Sequence, residues 1–266
     1  LIRKLMPEEL TAILNTIDRD HHFLYYSYLT ARKHNAQHYG QFTDEGELTG
    51  VLAFLKGLPF YAFSAYAVQR AFQLQPVLSY IKRQLQLPDQ ATGSFILNEQ
   101  EMAYLSAQVN FTRPPRGLIL MKHMNLKALP PQDERVQQLA SFSFPQIEEL
   151  MAELNTMAFT KEELNYPFFG ALAEQKLIAA GGYHIYNGDY AELGNIGTNT
   201  AWRRQGYGRS ISAELTRNAR ALTPNVYLNV LEENEAAIRL YESLGYERIC
   251  KQYIVEFSLE SGYVRQ

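Results

Sequence analysis

The chain has one cysteine, Cys250, among 266 residues. One thiol cannot close a disulfide within the chain or supply a cysteine-rich zinc site. Its neighbours Tyr246-Glu247-Arg248-Ile249 include no histidine, so Cys250 reads as a small buried hydrophobe at a strand end. The missing disulfide potential fits a cytoplasmic protein. A basic excess is also lacking: the formal net charge is −3, whereas duplex binding needs clustered positive charge, so no nucleic-acid partner is expected. There is no long apolar run. The most apolar stretch, Val51 to Val68, is broken by Lys56, Gly57 and Pro59. It reads as buried strands joined by a turn, and no membrane partner is expected. No leader is legible in Leu1-Ile2-Arg3-Lys4-Leu5. Gly-Lys-Ser, Gly-Lys-Thr and Gly-x-Ser-x-Gly do not occur, which argues against a Walker loop and a nucleophile elbow. His34 and His38 stand four apart without an evident third ligand; a solvated helix face is expected there, and no metal.

A hydrophobic fraction of 46% is ample for a core. Ala128-Leu129-Pro130-Pro131-Gln132-Asp133-Glu134 has the composition of a linker. It divides the chain into an amino-terminal α/β domain at 1–127 and a carboxy-terminal domain at 135–266. The halves echo each other. Tyr39 to Phe42, a turn at Asp44-Glu45-Gly46 and Leu48 to Ala53 form one apolar hairpin; Phe168 to Leu172, a turn near Glu174-Gln175 and Leu177 to Gly182 form another. Duplication of one domain and chance recurrence of a common hairpin both remain open. Beyond the second hairpin the pattern predicts a strand at 183–186, a turn at Asn187-Gly188-Asp189 and a strand from Ala191 to Ile196. A glycine loop, a helix, the strand Val226 to Val230, a helix capped by Asn234 and a last strand from Tyr246 follow. The expected class is mixed α/β.

Arg203-Arg204-Gln205-Gly206-Tyr207-Gly208 stands between a strand and a helix. Unpaired N–H groups of a first helical turn and the helix dipole favour an anion there. Glycines let the backbone approach oxygen atoms closely. The Rossmann pattern would need a third glycine where Ile211 stands.

The loop resembles the coenzyme A signature of the GCN5-related N-acetyltransferase (GNAT) superfamily, Arg/Gln-x-x-Gly-x-Gly/Ala, with Arg203, Gly206 and Gly208 at its fixed positions. The segment from Asn234 to Tyr246 is similar to the family's second block, Asn-x-x-Ala-x-x-Leu-Tyr-x-x-x-Gly-Phe/Tyr. The resemblance spans roughly residues 140 to 257, and the amino-terminal half has neither motif. It implies a central mixed sheet flanked by helices; were the halves duplicates, the amino-terminal half would be a second, degenerate GNAT-like domain. It also implies acetyl-coenzyme A as cosubstrate and transfer of acetyl to a primary amine by direct attack. Its implied pyrophosphate donors are the N–H groups of Arg204, Gln205, Gly206, Tyr207, Gly208 and Arg209, and its implied pantetheine edge is Ile196, Gly197 and Thr198. Asn234 and, more weakly, Asn229 are implied contacts of the cofactor arm. Tyr241 matches the family's frequent general acid; ordinary phenol and thiol pKa values of about 10 and about 8.5 are close enough to share a proton. Glu192, eleven residues before Arg203, matches the position of a general base in histone-type members, with His184 as a second candidate. The expected acceptor is a small-molecule or peptide amine, and the expected assembly a monomer or homodimer. A longer acyl donor, a protein-lysine acceptor, or a non-catalytic coenzyme A sensor stand as alternatives.

Overall fold

The structure is a computed structural model that describes residues 1–88, 90–156 and 159–260. Its first elements are β1 (Ile2–Lys4), α1 (Pro7–Thr16), α2 (Phe23–Leu29), β2 (Ala36–Phe42), β3 (Leu48–Leu55), β4 (Tyr61–Ala67), α3 (Leu74–Leu85), β5 (Thr92–Asn98), α4 (Glu99–Leu105) and β6 (Arg116–His123). There follow β7 (Gln137–Gln138), α5 (Phe144–Glu153), β8 (Phe169–Ala173), β9 (Lys176–Tyr186), β10 (Ala191–Thr198), α6 (Tyr207–Leu222), β11 (Val226–Leu231), α7 (Glu235–Ser243) and β12 (Tyr246–Ser258). Among the described residues no helix is long and apolar enough to cross a membrane.

The chain forms two compact units. One is Leu1–Leu118 with the carboxy-terminal strand from Cys250; the other is Ile119–Ile249. These units differ from the contiguous segments 1–127 and 135–266 expected from sequence, because β6 joins the sheet of the second unit and most of β12 that of the first. Hydrogen bonding across a sheet overrides proximity along the chain. Residues 261–266, included in the expected carboxy-terminal domain, lie outside the described residues.

In the first unit the strands run β1-β2-β3-β4-β5-β12. The Val51 to Val68 stretch is the β3–β4 pair, with Val51, Leu52 and Ala53 fully buried. His38 corrects the helix-face reading: it lies on β2, is 4% exposed, and its Nδ1 stands 3.3 Å from the Tyr25 hydroxyl. β4 and β5 pair in parallel only from Tyr61–Phe63 to Gly93–Phe95, and Asn98 at the end of β5 caps α4 by accepting from Glu101 N–H.

The second unit repeats that order of elements. Its sheet runs β6-β11-β10-β9-β8-β7. The positions expected as two strands, 177–182 and 183–186, are one continuous strand, β9. The stripe Ile211, Leu215 and Ala219 buries α6 against Tyr183, Leu193 and Leu228. Polar anchors fix the helix on the sheet: Tyr183 OH donates to Leu215 O at 2.6 Å, and Tyr186 OH donates to Asn218 Oδ1 at 2.8 Å. α5 lies against the other apolar set, with Ile147, Leu150 and Met151 packed on Phe168, Leu177 and Ala180.

Candidate active site

β10 and β11 are parallel neighbours over three residues only, Ala191–Leu193 against Val226–Leu228. Beyond that point no β11 pairing continues along Gly194 to Thr198. On its other side β10 keeps pairing with β9, through Gly197 with Ala180 and Thr198 with Ala179. The expected pantetheine edge, Ile196, Gly197 and Thr198, thus borders the divergence of two parallel strands. A bulge helps to open it: Asn195 has φ +54 and the register shifts between Gly194 and Gly197.

The glycine loop follows. Arg204 and Gly206 have φ +61 and +88, and Gly206 is the N-cap of α6. A Cβ on Gly208 would meet nothing within 4 Å. The first recorded helical bond is Ser210 N–H to Gly206 O at 3.0 Å, and among the described residues no acceptor is recorded for the N–H groups of Arg204 through Arg209. Arg203 Nε donates to Thr198 O at 3.1 Å, joining the loop to the end of β10. Unsatisfied donors, open space and three arginines (Arg203, Arg204 and Arg209) suit a pyrophosphate. The counterpart in the first unit has no such cradle. There Gln73 N–H and Leu74 N–H are each taken at 2.7 Å, by Gln41 Oε1 and Gln108 Oε1, and Pro76 has no N–H to offer.

Glu192 lies beside the start of the divergence and is buried. Asn229 Nδ2 donates to its Oε1 at 2.9 Å, which joins two residues read separately from the sequence. Alternation along β10 places Glu192 on the sheet face opposite α6, since Ala191 and Leu193 pack with α6. Asn195 Oδ1 and Asn229 Oδ1 are buried and have no partner among the described residues. Such orphaned acceptors beside the open strand end suit a polar ligand there.

Glu163 and Asn195 were not read from the sequence, whereas their neighbour His184 was. Glu163, from the short turn Lys161–Asn165, is buried; its Oε1 stands 2.8 Å from His184 Nδ1 and its Oε2 accepts from Asn195 Nδ2 at 2.5 Å. His184 lies over Gly194, where a Cβ would come within 2.2 Å of the ring. Glu163 has no motif of its own; only contact with His184, 21 residues away, marks it.

Asn234 caps α7 by accepting from Ala237 N–H at 3.2 Å. Tyr241 lies on α7 with its ring 5.9 Å from that of Tyr246. Burial pushes its hydroxyl up to about 12, opposed by the neighbouring Ser212 hydroxyl, so it stays protonated at neutral pH. Cys250 is half-buried in β12, and burial first, then Glu101, Glu99 and Asp18, push its thiol up to about 11. That suppresses the thiolate and fits an inert side chain. Among the described residues no group of three His, Cys, Asp or Glu side chains is placed to hold a metal.

The fold is mixed α/β, a large mixed sheet flanked by helices, in which an open edge between parallel strands leads into an anion-favouring loop at a helix N-terminus. Residues 134–246, in the carboxy-terminal half of the chain, match the Acetyltransferase (GNAT) family and form a GNAT acetyltransferase domain. That family transfers acyl groups from acetyl-coenzyme A. Among solved structures, a GCN5-related N-acetyltransferase from Sphaerobacter thermophilus is 15% identical, with a TM-score of 0.73 over 99% of this chain and 96% of that one. A tandem GNAT protein from the clavulanic acid biosynthesis pathway is 11% identical, with a TM-score of 0.67 over 99% of both chains. A GNAT-family acetyltransferase from Colwellia psychrerythraea is 18% identical, with a TM-score of 0.58 over 97% of this chain and 99% of that one. These likenesses extend the shared fold over the whole chain. Among curated protein sequences none matches.

Proposed function

We propose that the protein is an N-acetyltransferase that moves acetyl from acetyl-coenzyme A to the primary amine of a small molecule or peptide by direct attack. The carrying observation is the combination of an unsatisfied N–H cradle at Gln205 to Arg209 with the splay between β10 and β11. In this reading the cradle binds the pyrophosphate and Ile196 to Thr198 pair with the pantetheine arm. Asn229 and Asn234 border that arm, and Asn229 also orients Glu192.

Glu192 accepts the proton that the attacking ammonium must lose, directly or through a water. Its burial beside Asn229 favours a single orientation. Tyr241 delivers a proton to the departing sulfur. Burial raises the phenol, so it still carries its proton when the sulfur departs. The His184–Glu163 pair supports the same face of β9 and β10. No nucleic acid, membrane or metal enters this reaction.

The test is release of free coenzyme A from acetyl-coenzyme A across a panel of primary amines, with Tyr241→Phe and Glu192→Gln alongside. Amine-dependent release that falls at least tenfold in each variant is expected for these roles. Tight binding of acetyl-coenzyme A with no turnover on any amine would make the chain a sensor and overturn the reading.

A further inference from the structure

The proline-containing segment expected to be a plain linker is tied three times to α6 and its loop. Pro130 O accepts from Arg217 Nη2; Asp133 Oδ2 accepts from Ser210 Oγ at 2.6 Å; Arg135 Nη1 donates to Gln205 O at 3.3 Å. Asp133 and Arg135 also hold each other as a fork, with Nε on Oδ1 at 3.0 Å and Nη2 on Oδ2 at 2.7 Å. The Asp133 carboxylate takes the Arg135 backbone N–H as well, at 3.0 Å. The guanidinium lies 4.7 Å over the Tyr207 ring. Arg135 and then Ser210 hold the Asp133 carboxyl well below the usual carboxylate range, so the fork is charged at any working pH.

The consequence is geometric. A bidentate fork fixes the plane of a guanidinium. With its Nε–Nη2 edge on Asp133 and its face on Tyr207, the remaining Nη1 holds the Gln205 carbonyl. In a trans peptide the C=O and the following N–H point in opposite directions. Arg135 therefore draws the Gln205 carbonyl towards itself and turns the Gly206 N–H the other way. Rotating this peptide changes ψ of Gln205 and φ of Gly206. A glycine at φ +88 can take either sign, and among the described residues neither the Gln205 C=O nor the Gly206 N–H has a backbone partner, so the rotation meets little local resistance. Rotated, it would present an oxygen instead of a donor to an anion.

We propose that Asp133 and Arg135 are positioning residues that lock the Gln205–Gly206 peptide with its N–H presented to the donor's pyrophosphate. The proposal rests on the acetyl-coenzyme A reading above. Coenzyme A binding is measured by calorimetry for the wild type, Arg135→Met, Arg135→Lys and Asp133→Asn. Loss of a charge-assisted contact predicts about five- to tenfold weaker binding for Arg135→Met and a smaller loss for Arg135→Lys. Asp133→Asn should fall between them.

The second readout is the ratio of kcat/KM with acetyl-coenzyme A to kcat/KM with S-acetyl-pantetheine, a donor without pyrophosphate. That ratio is expected to fall about five- to tenfold in Arg135→Met, in step with the binding loss. A merely structural role lowers both terms together, so an unchanged ratio overturns the clamp even if the variant is partly unfolded. Wild-type protein that fails to bind coenzyme A overturns the donor assignment itself. Wild-type protein that binds it no better than Arg135→Met overturns the clamp alone.

Discussion

Gly194→Ala probes how the face beside the splay is built. The new methyl carbon would stand 2.2 Å from both Cδ2 and Nε2 of His184 and 2.6 Å from Cε1. The ring cannot retreat freely, because Glu163 holds Nδ1 at 2.8 Å and both side chains are largely buried. Overpacking costs about 1–3 kcal/mol, and losing a hydrogen bond to a charged group about 1.5–3 kcal/mol. One of these must be accepted, so a loss of about 2–3 kcal/mol is expected. Gly194 is not among the positive-φ glycines, so its backbone admits alanine. In a His184→Ala background the clash is gone, and Gly194→Ala should stabilise by about 0.5 kcal/mol through the unfolded chain. The sign of the substitution therefore reverses between backgrounds, with a coupling of about 3 kcal/mol. Urea denaturation of the four proteins measures it directly. An equal cost in both backgrounds would refute the argument that His184 is what excludes the side chain.

Gly206→Ala isolates backbone strain, since only Arg135 Nη2, at 3.8 Å, lies near the added carbon. A residue with a Cβ at φ +88 costs about 1–2 kcal/mol, and coenzyme A affinity measured by calorimetry should fall while an Asn substitution recovers part of it. Tyr241→Phe should lower kcat by about 100-fold or more and leave coenzyme A affinity within about twofold. With the phenol pushed up to about 12, the wild-type rate profile should show no Tyr241 limb below about pH 10. Burial lowers the His38 imidazole to about 4, so the unfolded chain takes up its proton first as pH falls. Stability from this group is complete above about pH 6.5 and is lost as pH falls to about 4, a loss on the order of 3 kcal/mol. Denaturation midpoints across that window should flatten in His38→Leu; an unchanged slope would refute the assignment. Asp133 is held below its ordinary value, so its contribution is lost only at lower pH, in a separate window.

Much of the site was legible because it is local. The Arg203 to Gly208 loop lies in one turn before a helix, and the Asn234 to Tyr246 block spans one helix from its cap to the next strand, so both patterns are contiguous in sequence. Glu192 and Asn229 were legible one at a time, as positions on two strands. Their hydrogen bond needed the parallel pairing of β10 with β11, which no spacing contains. Glu163 was not legible, because its role rests on His184 and Asn195, 21 and 32 residues away.

Composition and periodicity by themselves determined the mixed α/β class, the helix stripes and the hairpins. Those properties follow from side-chain pattern and backbone freedom over a few residues. Tertiary structure alone decided which strands complete each sheet and that the segment around Asp133 braces α6. It also decided that the first unit's helix N-terminus is filled by Gln41 and Gln108. Each of those outcomes is a hydrogen bond or strand pairing between distant residues, and its energy depends on where the folded chain brings them together.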